Sequence, residues 1–156
     1  MSLSEELDRV TSLFIDTAPI IYYIEAHPQF GPLAKEVVIA FQSGNLNVYS
    51  SVITLAEVLP KPIERGDEKL ARRFAEFLKH GKNLNMVEIS ETTAEAAGRL
   101  RGRFPFLKTI DAIQLAAALE VGAEAFLTND AKLQKFNELK VLVLKDYLQE
   151  SRERNR

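Results

Sequence analysis

Apolar residues along the chain alternate between short runs typical of strands and longer stretches with helical spacing. Leu13-Phe14-Ile15 is the first such run, and Val141 to Leu144 is apolar at every position, as expected for a strand inside a parallel sheet. Five strands are predicted in all: Leu13–Ile15, Leu46–Ser50, Leu84–Ile89, Ala125–Thr128 and Val141–Leu144. Because the strands alternate with helical stretches, we predict an α/β fold with a mainly parallel sheet.

Prolines and capping residues set the predicted limits of the helices. Pro60 and Pro62 lack the N–H that a helix needs and therefore end a helix over 52–59. Thr92 and Glu95 have the spacing of a capping box, which predicts that a helix starts there. In the first half of the chain, the other predicted helices are one with Pro19 in its first turn, one from Pro32 to about Ser43, and one that Asp67 caps, with the apolar stripe Leu70, Phe74, Phe77 and Leu78. In the second half, Thr109 is predicted to cap a helix over Ile110–Val121, and a helical turn is predicted over Ala131–Phe136. A last helix is predicted to be capped by Asp146 and to fray into Arg152–Arg156.

Size and composition limit the class of protein. A chain of 156 residues suits one domain, which we expect over residues 1–156, with a core over 13–144 and a C-terminal helix or tail over 146–156. Cysteine is absent, which excludes disulfides and thiolate metal sites. No apolar run approaches the roughly 20 residues that span a bilayer, and the acidic start Met1 to Glu6 lacks the features of a secretory signal. We therefore expect a cytoplasmic protein without a membrane partner.

The net charge of −2 does not by itself indicate a nucleic-acid-binding protein. Arginines cluster locally at 99, 101 and 103 and again at 152, 154 and 156. Each cluster is explained equally well by a solvated helix face or tail and by contact with an anionic partner.

Four carboxylates carry the candidate chemistry. Asp16 and Asp130 lie where apolar runs stop, and Glu57 and Asp111 lie inside apolar helical patterns, where an acid costs free energy unless it has a partner. Ligands of parallel α/β sheets bind beyond the carboxyl ends of the strands, so the four acids could converge there. Carboxylate oxygens suit a hard cation such as Mg²⁺ or Mn²⁺.

Each acid taken singly also has a simpler explanation. Asp16 could cap the following helix, Asp111 could be a favourable acid in a first turn, Glu57 could be a surface residue, and Asp130 could form a turn. The two histidines, His27 and His80, are more typical of surface residues than of metal ligands.

Four motifs in order along the chain resemble those of the PIN domain family, and within it the small ribonucleases of the VapC toxin type. The resemblance covers roughly residues 13–144. The matching stretches are Phe14-Ile15-Asp16-Thr17, Ser51 to Val58 with Glu57, Asp111 to Ala118, and Leu127-Thr128-Asn129-Asp130.

The resemblance implies a three-layer α/β/α sandwich around a twisted parallel sheet of four to five strands. It also implies an endoribonuclease that hydrolyses phosphodiester bonds of single-stranded RNA with Mg²⁺ or Mn²⁺. The residues that would hold the metal are Asp16, Glu57, Asp111 and Asp130, with Thr128 supporting a carboxylate or a metal-bound water. Ala131 and Lys132 follow Asp130, so the number of metals, one or two, stays open.

The resemblance further implies a homodimer, an RNA substrate, single-stranded or structured, and a protein antitoxin. The segment from Pro60 to Leu78 is a candidate docking surface, although Phe74 and Phe77 within it are more typical of core residues. Arg99, Arg103 and Lys108 are candidate contacts to RNA, whose sequence cannot be read from the chain.

Three alternatives to a toxin ribonuclease remain. One is a PIN nuclease in RNA processing, and another is a PIN-fold binding or scaffold module without activity. The third, a phosphotransfer protein, fits poorly, because Ala18 stands where an aspartyl phosphatase has its second Asp and no Gly-rich phosphate loop is present.

Overall fold

Five parallel strands form one sheet at the centre of the molecule, of which the computed structural model describes residues 1–148. The strands are β1 Ser12–Ile15, β2 Asn47–Ser51, β3 Leu84–Val87, β4 Ala125–Thr128 and β5 Lys140–Val143. Their order across the sheet is β3-β2-β1-β4-β5, so β1 lies in the middle between β2 and β4. The prediction of an α/β fold with a parallel sheet is confirmed.

Helices fill the connections between the strands. They are α1 Leu3–Asp8, α2 Thr17–Ile24, α3 Gly31–Gln42, α4 Val52–Val58, α5 Pro60–Glu64, α6 Glu68–His80, α7 Glu91–Arg103 and α8 Thr109–Glu120. Short 3₁₀ helices cover Ala131–Lys135 and Leu144–Tyr147. Among the described residues, none of the helices is long and apolar enough to cross a bilayer.

Side chains alternate across the central strand and supply two separate cores, one on each face of the sheet. Leu13 and Ile15 pack with α1, α2, α3 and α6 on one face. Phe14 points to the other face and stacks on Phe126 at 5.6 Å, beneath α7 and α8. The arrangement is the three-layer α/β/α sandwich that the resemblance implied.

The aromatic residues of α6 belong to the first of these cores. Phe74 is buried, and Phe77 packs on Tyr23 at 5.3 Å and on Phe41 at 6.3 Å. These side chains support the fold rather than a docking surface, as their spacing indicated.

The predicted caps of α7 and α8 are wrong. Helix α7 begins two residues earlier than Thr92 and Glu95 suggested, because Ser90 accepts a hydrogen bond from the Thr93 N–H at 3.1 Å and forms the capping box itself. Helix α8 includes Thr109 as its first residue, and Lys108 precedes it without a side-chain cap.

Two short helices were not predicted at all. Pro60 ends α4 as expected but also begins α5, since proline is favoured in the first turn of a helix. Helix α1 starts from a capping box that joins Ser2 and Glu5.

The C-terminal part differs from its prediction in two respects. Strand β5 lies at the edge of the sheet, although its apolar sequence indicated an interior position. Asp146 lies inside the 3₁₀ helix over Leu144–Tyr147 and accepts a hydrogen bond from the Gln134 side-chain amide at 2.8 Å, rather than capping a helix. The end of the predicted last helix, including Arg152–Arg156, lies outside the described residues.

A four-carboxylate cleft at the carboxyl edge of the sheet

The carboxyl ends of β1 and β4 lie side by side and open into a cleft of about 330 Å³. The Asp16 N–H donates to the Leu127 carbonyl at 2.9 Å, which brings the residues that follow the two strands together. All four carboxylates singled out in the sequence line this cleft, and Thr128 lines it with them. The remaining described residues that line it are Thr17, Ala18, Ile21, Tyr22, Ile110 and Asn129, none of which is basic.

Asp16 is held by two hydrogen bonds at the junction of β1 and α2. Its Oδ1 accepts from the Thr17 N–H at 2.8 Å, and its Oδ2 accepts from the Thr128 hydroxyl at 2.8 Å. Burial raises the pKa of Asp16 to about 6, and the charges of Asp111 and Glu57 act in the same direction against the two hydrogen bonds. The ionised form of Asp16 is therefore costly unless a cation compensates it.

Glu57 reaches the cleft from the exposed side of α4. Its Oε1 accepts a hydrogen bond from the hydroxyl of Thr17, the residue next to Asp16, at 2.7 Å. An exposed glutamate has considerable rotameric freedom, so this contact directs its carboxylate toward the cleft.

Asp111 and Asp130 both line the cleft, close enough for the charge of Asp130 to act on Asp111. Asp111 is half-buried in the first turn of α8, and burial followed by the charge of Asp130 raises its pKa, while Lys108 acts against the shift. Asp130 accepts from the Lys132 N–H at 3.0 Å and thereby caps the 3₁₀ helix. The Asp130 N–H donates to the Thr128 hydroxyl at 3.1 Å, so Thr128 links Asp130 to Asp16.

Three of the acids have the structural positions that the simpler explanations gave them, but these positions do not account for everything observed. Asp16 and Asp130 do cap helices, and Asp111 does lie in a first turn. Helix caps have no reason to share one cleft, however, and the pKa values of Asp16 and Asp111 are raised by burial first and further by the charges of the neighbouring carboxylates.

The donor set fits a hydrated Mg²⁺ or Mn²⁺ ion. Over residues 1–148, no three acidic, histidine or cysteine side chains are arranged closely enough to enclose a metal ion directly. Mg²⁺ does not require such a cage, because it keeps several waters and uses one or two carboxylates of the protein. A cleft with four carboxylates and no basic side chain along its described lining meets that requirement.

Other residues singled out in the sequence lie away from the cleft. His27 packs between Tyr22 and Phe30, where its Nδ1 accepts from the Phe30 N–H at 3.1 Å. His80 is exposed at the end of α6. Arg99 and Arg103 line a shallow groove between α7 and α8, and Arg103 pairs with Glu138. Lys108 is exposed just before the helix of Asp111.

The sequence interpretation missed the polar residues behind the acids. Thr17 is buried at the lining of the cleft, and Ser51, Thr54 and Gln114 are buried behind it, although each of the four lies inside one of the motifs. Their signal was a polar residue at an inward position of an otherwise apolar stretch, which is rare unless the group has a partner.

Comparison with known proteins gives one family and several similar structures. A family model described as PIN domain matches residues 13–139. A search among curated proteins finds no match to the chain. A toxin–antitoxin complex from Klebsiella pneumoniae is similar with a TM-score of 0.60 and 24% identity, over 84% of this chain and 96% of that chain.

Two further solved structures show the same fold at lower identity. VapBC2 from Rickettsia felis, bound to a promoter DNA fragment, has a TM-score of 0.66 and 18% identity over 85% of this chain and 98% of that chain. Mycobacterium tuberculosis VapC20, a toxin that cleaves the sarcin–ricin loop, has a TM-score of 0.66 and 16% identity over 80% of this chain and 95% of that chain.

Proposed function

The chain belongs to the PIN domain family, and from that premise we propose that it is a divalent-metal-dependent endoribonuclease that hydrolyses phosphodiester bonds of single-stranded RNA. The observation that carries the proposal is the convergence of Asp16, Glu57, Asp111 and Asp130 on one cleft without a basic residue along its described lining. A phosphodiester carries a negative charge and is repelled by such a cleft, so the acids can serve a nuclease only together with a cation.

In this proposal the cleft binds a hydrated Mg²⁺ or Mn²⁺ ion, which one or two of the four carboxylates would contact directly and the others through its waters. When bound, such a cation would supply Lewis-acid charge at the phosphate and would lower the pKa of a coordinated water. The protein's own part is to orient the carboxylates. The Thr128 hydroxyl and the Thr17 N–H bind the Asp16 carboxylate and oppose the rise of its pKa, and the Thr17 hydroxyl directs the Glu57 carboxylate toward the cleft.

Replacement of Asp16 by asparagine tests the proposal with a matched control. Asp16→Asn keeps the size of the side chain but removes the charge, so cleavage of single-stranded RNA in Mn²⁺ should fall to background. Asp67→Asn is the control, because Asp67 also caps a helix, α6, through a bond to the Leu70 N–H but does not line the cleft. Equal cleavage by the wild type and Asp16→Asn would contradict the proposal.

We propose further that the protein is the toxin of a toxin–antitoxin pair, acts as a homodimer and binds a protein antitoxin. Support for the toxin role and the antitoxin partner comes from the similar structures, which are toxins or complexes of toxin and antitoxin, whereas the homodimer rests on the family resemblance alone. Expression of the wild-type protein should arrest growth, and expression of Asp16→Asn should not. Metal-dependent RNA cleavage without growth arrest would instead indicate a PIN nuclease of RNA processing, and failure to bind Mn²⁺ would indicate a scaffold module.

A further inference from the structure

A chain of four buried polar side chains runs beneath the cleft and ends at Glu57. Relative exposure is 0% for Ser51, Thr54 and Gln114 and 9% for Thr17. The Ser51 hydroxyl contacts Gln114 Oε1, and Gln114 Nε2 lies 2.9 Å from the Thr54 hydroxyl. The Thr54 hydroxyl lies 2.9 Å from that of Thr17, which lies 2.7 Å from Glu57 Oε1.

The number of protons on each group fixes which side chain donates in every hydrogen bond of this series. A hydroxyl has a single proton, and an ionised carboxylate only accepts, so Thr17 donates to Glu57. Thr17 must then accept from Thr54, and Thr54 accepts from the amide of Gln114. At the other end, the proton of Ser51 goes to Gln114 Oε1 while Ser51 Oγ accepts from the Ile53 N–H at 3.1 Å. Every donor therefore points toward Glu57.

The hydrogen-bond chain also joins the elements that carry three of the acids. Gln114 follows Asp111 by one turn of α8, Thr54 precedes Glu57 by one turn of α4, and Thr17 follows Asp16 directly. Its links span 60 residues from Thr54 to Gln114 and 37 residues from Thr17 to Thr54. Hydrogen bonds thereby connect α8 through α4 and α2 to the Glu57 carboxylate.

Gln114 is an unexpected residue for its position. It lies on the buried side of α8 among Ala112, Leu115, Ala116, Ala117 and Ala118. An apolar residue would fill this position without the desolvation cost of an amide, so packing alone does not explain a glutamine there.

We propose that Gln114 is a positioning residue, which acts through Thr54 and Thr17 to hold the Glu57 carboxylate in the cleft and to couple it to the helix of Asp111. Without the Gln114 amide, the Thr54 oxygen lacks its donor and competes with Glu57 for the proton of Thr17. Glu57 then returns to the rotamers of an exposed glutamate. The role in metal binding rests on the proposed function, whereas the positioning of Glu57 does not.

Gln114→Met and Thr54→Val interrupt the hydrogen-bond chain while keeping a similar side-chain volume. Thr54→Ser keeps the hydroxyl that Thr54→Val removes. Residues that orient metal ligands typically change metal affinity by 10–100-fold, so we expect both disruptive variants to bind Mn²⁺ at least roughly tenfold more weakly, by calorimetry. The kcat for single-stranded RNA should fall with little change in KM, and Thr54→Ser should recover most of both losses.

Thr93→Val supplies the matched structural control. The buried Thr93 hydroxyl donates to Glu120 at 2.7 Å, the same donor, acceptor and distance as in the Thr17–Glu57 bond. Glu120 ends α8, nine residues beyond Asp111, which is about 13 Å along the helix. Thr93→Val should lower the melting temperature but leave Mn²⁺ affinity and kcat unchanged. A folded Gln114→Met variant with wild-type Mn²⁺ affinity and kcat would overturn the proposal.

The metal-free protein separates this inference from the proposed function. In wild-type protein, the NMR signals of the Glu57 side chain should show one ordered rotamer, and in Gln114→Met and Thr54→Val they should average toward those of an exposed glutamate. If the wild-type protein neither binds Mn²⁺ nor cleaves RNA, the nuclease proposal is refuted. If Glu57 still loses order in Gln114→Met and Thr54→Val, the positioning role stands. A Glu57 side chain equally ordered in all variants would refute the positioning role.

Discussion

At the scale of single residues, Asp16 combines a structural and a chemical role in one carboxylate. It caps α2, accepts the Thr128 hydroxyl and has a pKa raised to about 6, chiefly by burial. If Asp16 served only as a helix cap, an exposed and freely ionised carboxylate would serve without the free-energy cost of burial. Asparagine at this position would cap the helix without the cost of a buried charge, so an aspartate here indicates a use for that charge.

The raised pKa predicts how the stability of the metal-free protein depends on pH. Because the folded state holds the proton of Asp16 more tightly than the unfolded state, stability due to Asp16 is present below about pH 4 and is lost as the pH rises to about 6. Relative to Asp16→Asn, the free energy of unfolding of the wild type should fall by up to about 3 kcal/mol over this interval and stay level above it. Urea titrations of both proteins across the pH range measure this difference. A difference that is constant or increases with pH would contradict the assigned cause.

At the scale of elements, sequence patterns located the strands well and the helix starts less well. Strand β4 has the predicted limits, because Ala125 to Thr128 is a short apolar run followed by turn-forming residues. The start of α7 was misplaced, because Ser90 and Thr92 both have suitable partners three residues later, and only the structure shows which one caps. Helix α5 was missed because proline both ends and begins helices.

The start of α7 gives a direct test of the corrected cap. Ser90→Ala removes the acceptor of the Thr93 N–H and should lower the free energy of unfolding by about 1 kcal/mol. Thr92→Ala removes a hydroxyl at an exposed position of the same helix and should change stability by a few tenths of a kcal/mol at most. Chemical denaturation of the two variants decides between the caps, and a larger loss for Thr92→Ala would contradict the assignment to Ser90.

At the scale of the whole molecule, the order of strands assembles the cleft. Placing β1 next to β4 brings Asp16 beside Thr128 and Asp130, although 112 residues separate Asp16 from Thr128. The acids themselves could be predicted, since each belongs to a short local motif that can be recognised in one sequence. The hydrogen-bond chain through Gln114 could not, because contacts 60 residues apart leave no trace in local spacing.

The central claim is that the four carboxylates form one cation site that serves RNA hydrolysis. The most direct test is the rate of single-stranded RNA cleavage by the purified wild-type protein, titrated with Mn²⁺ from a metal-free start at neutral pH. We predict no cleavage in EDTA and a rate that rises with Mn²⁺ and saturates. Cleavage that persists at full rate in EDTA would contradict the claim.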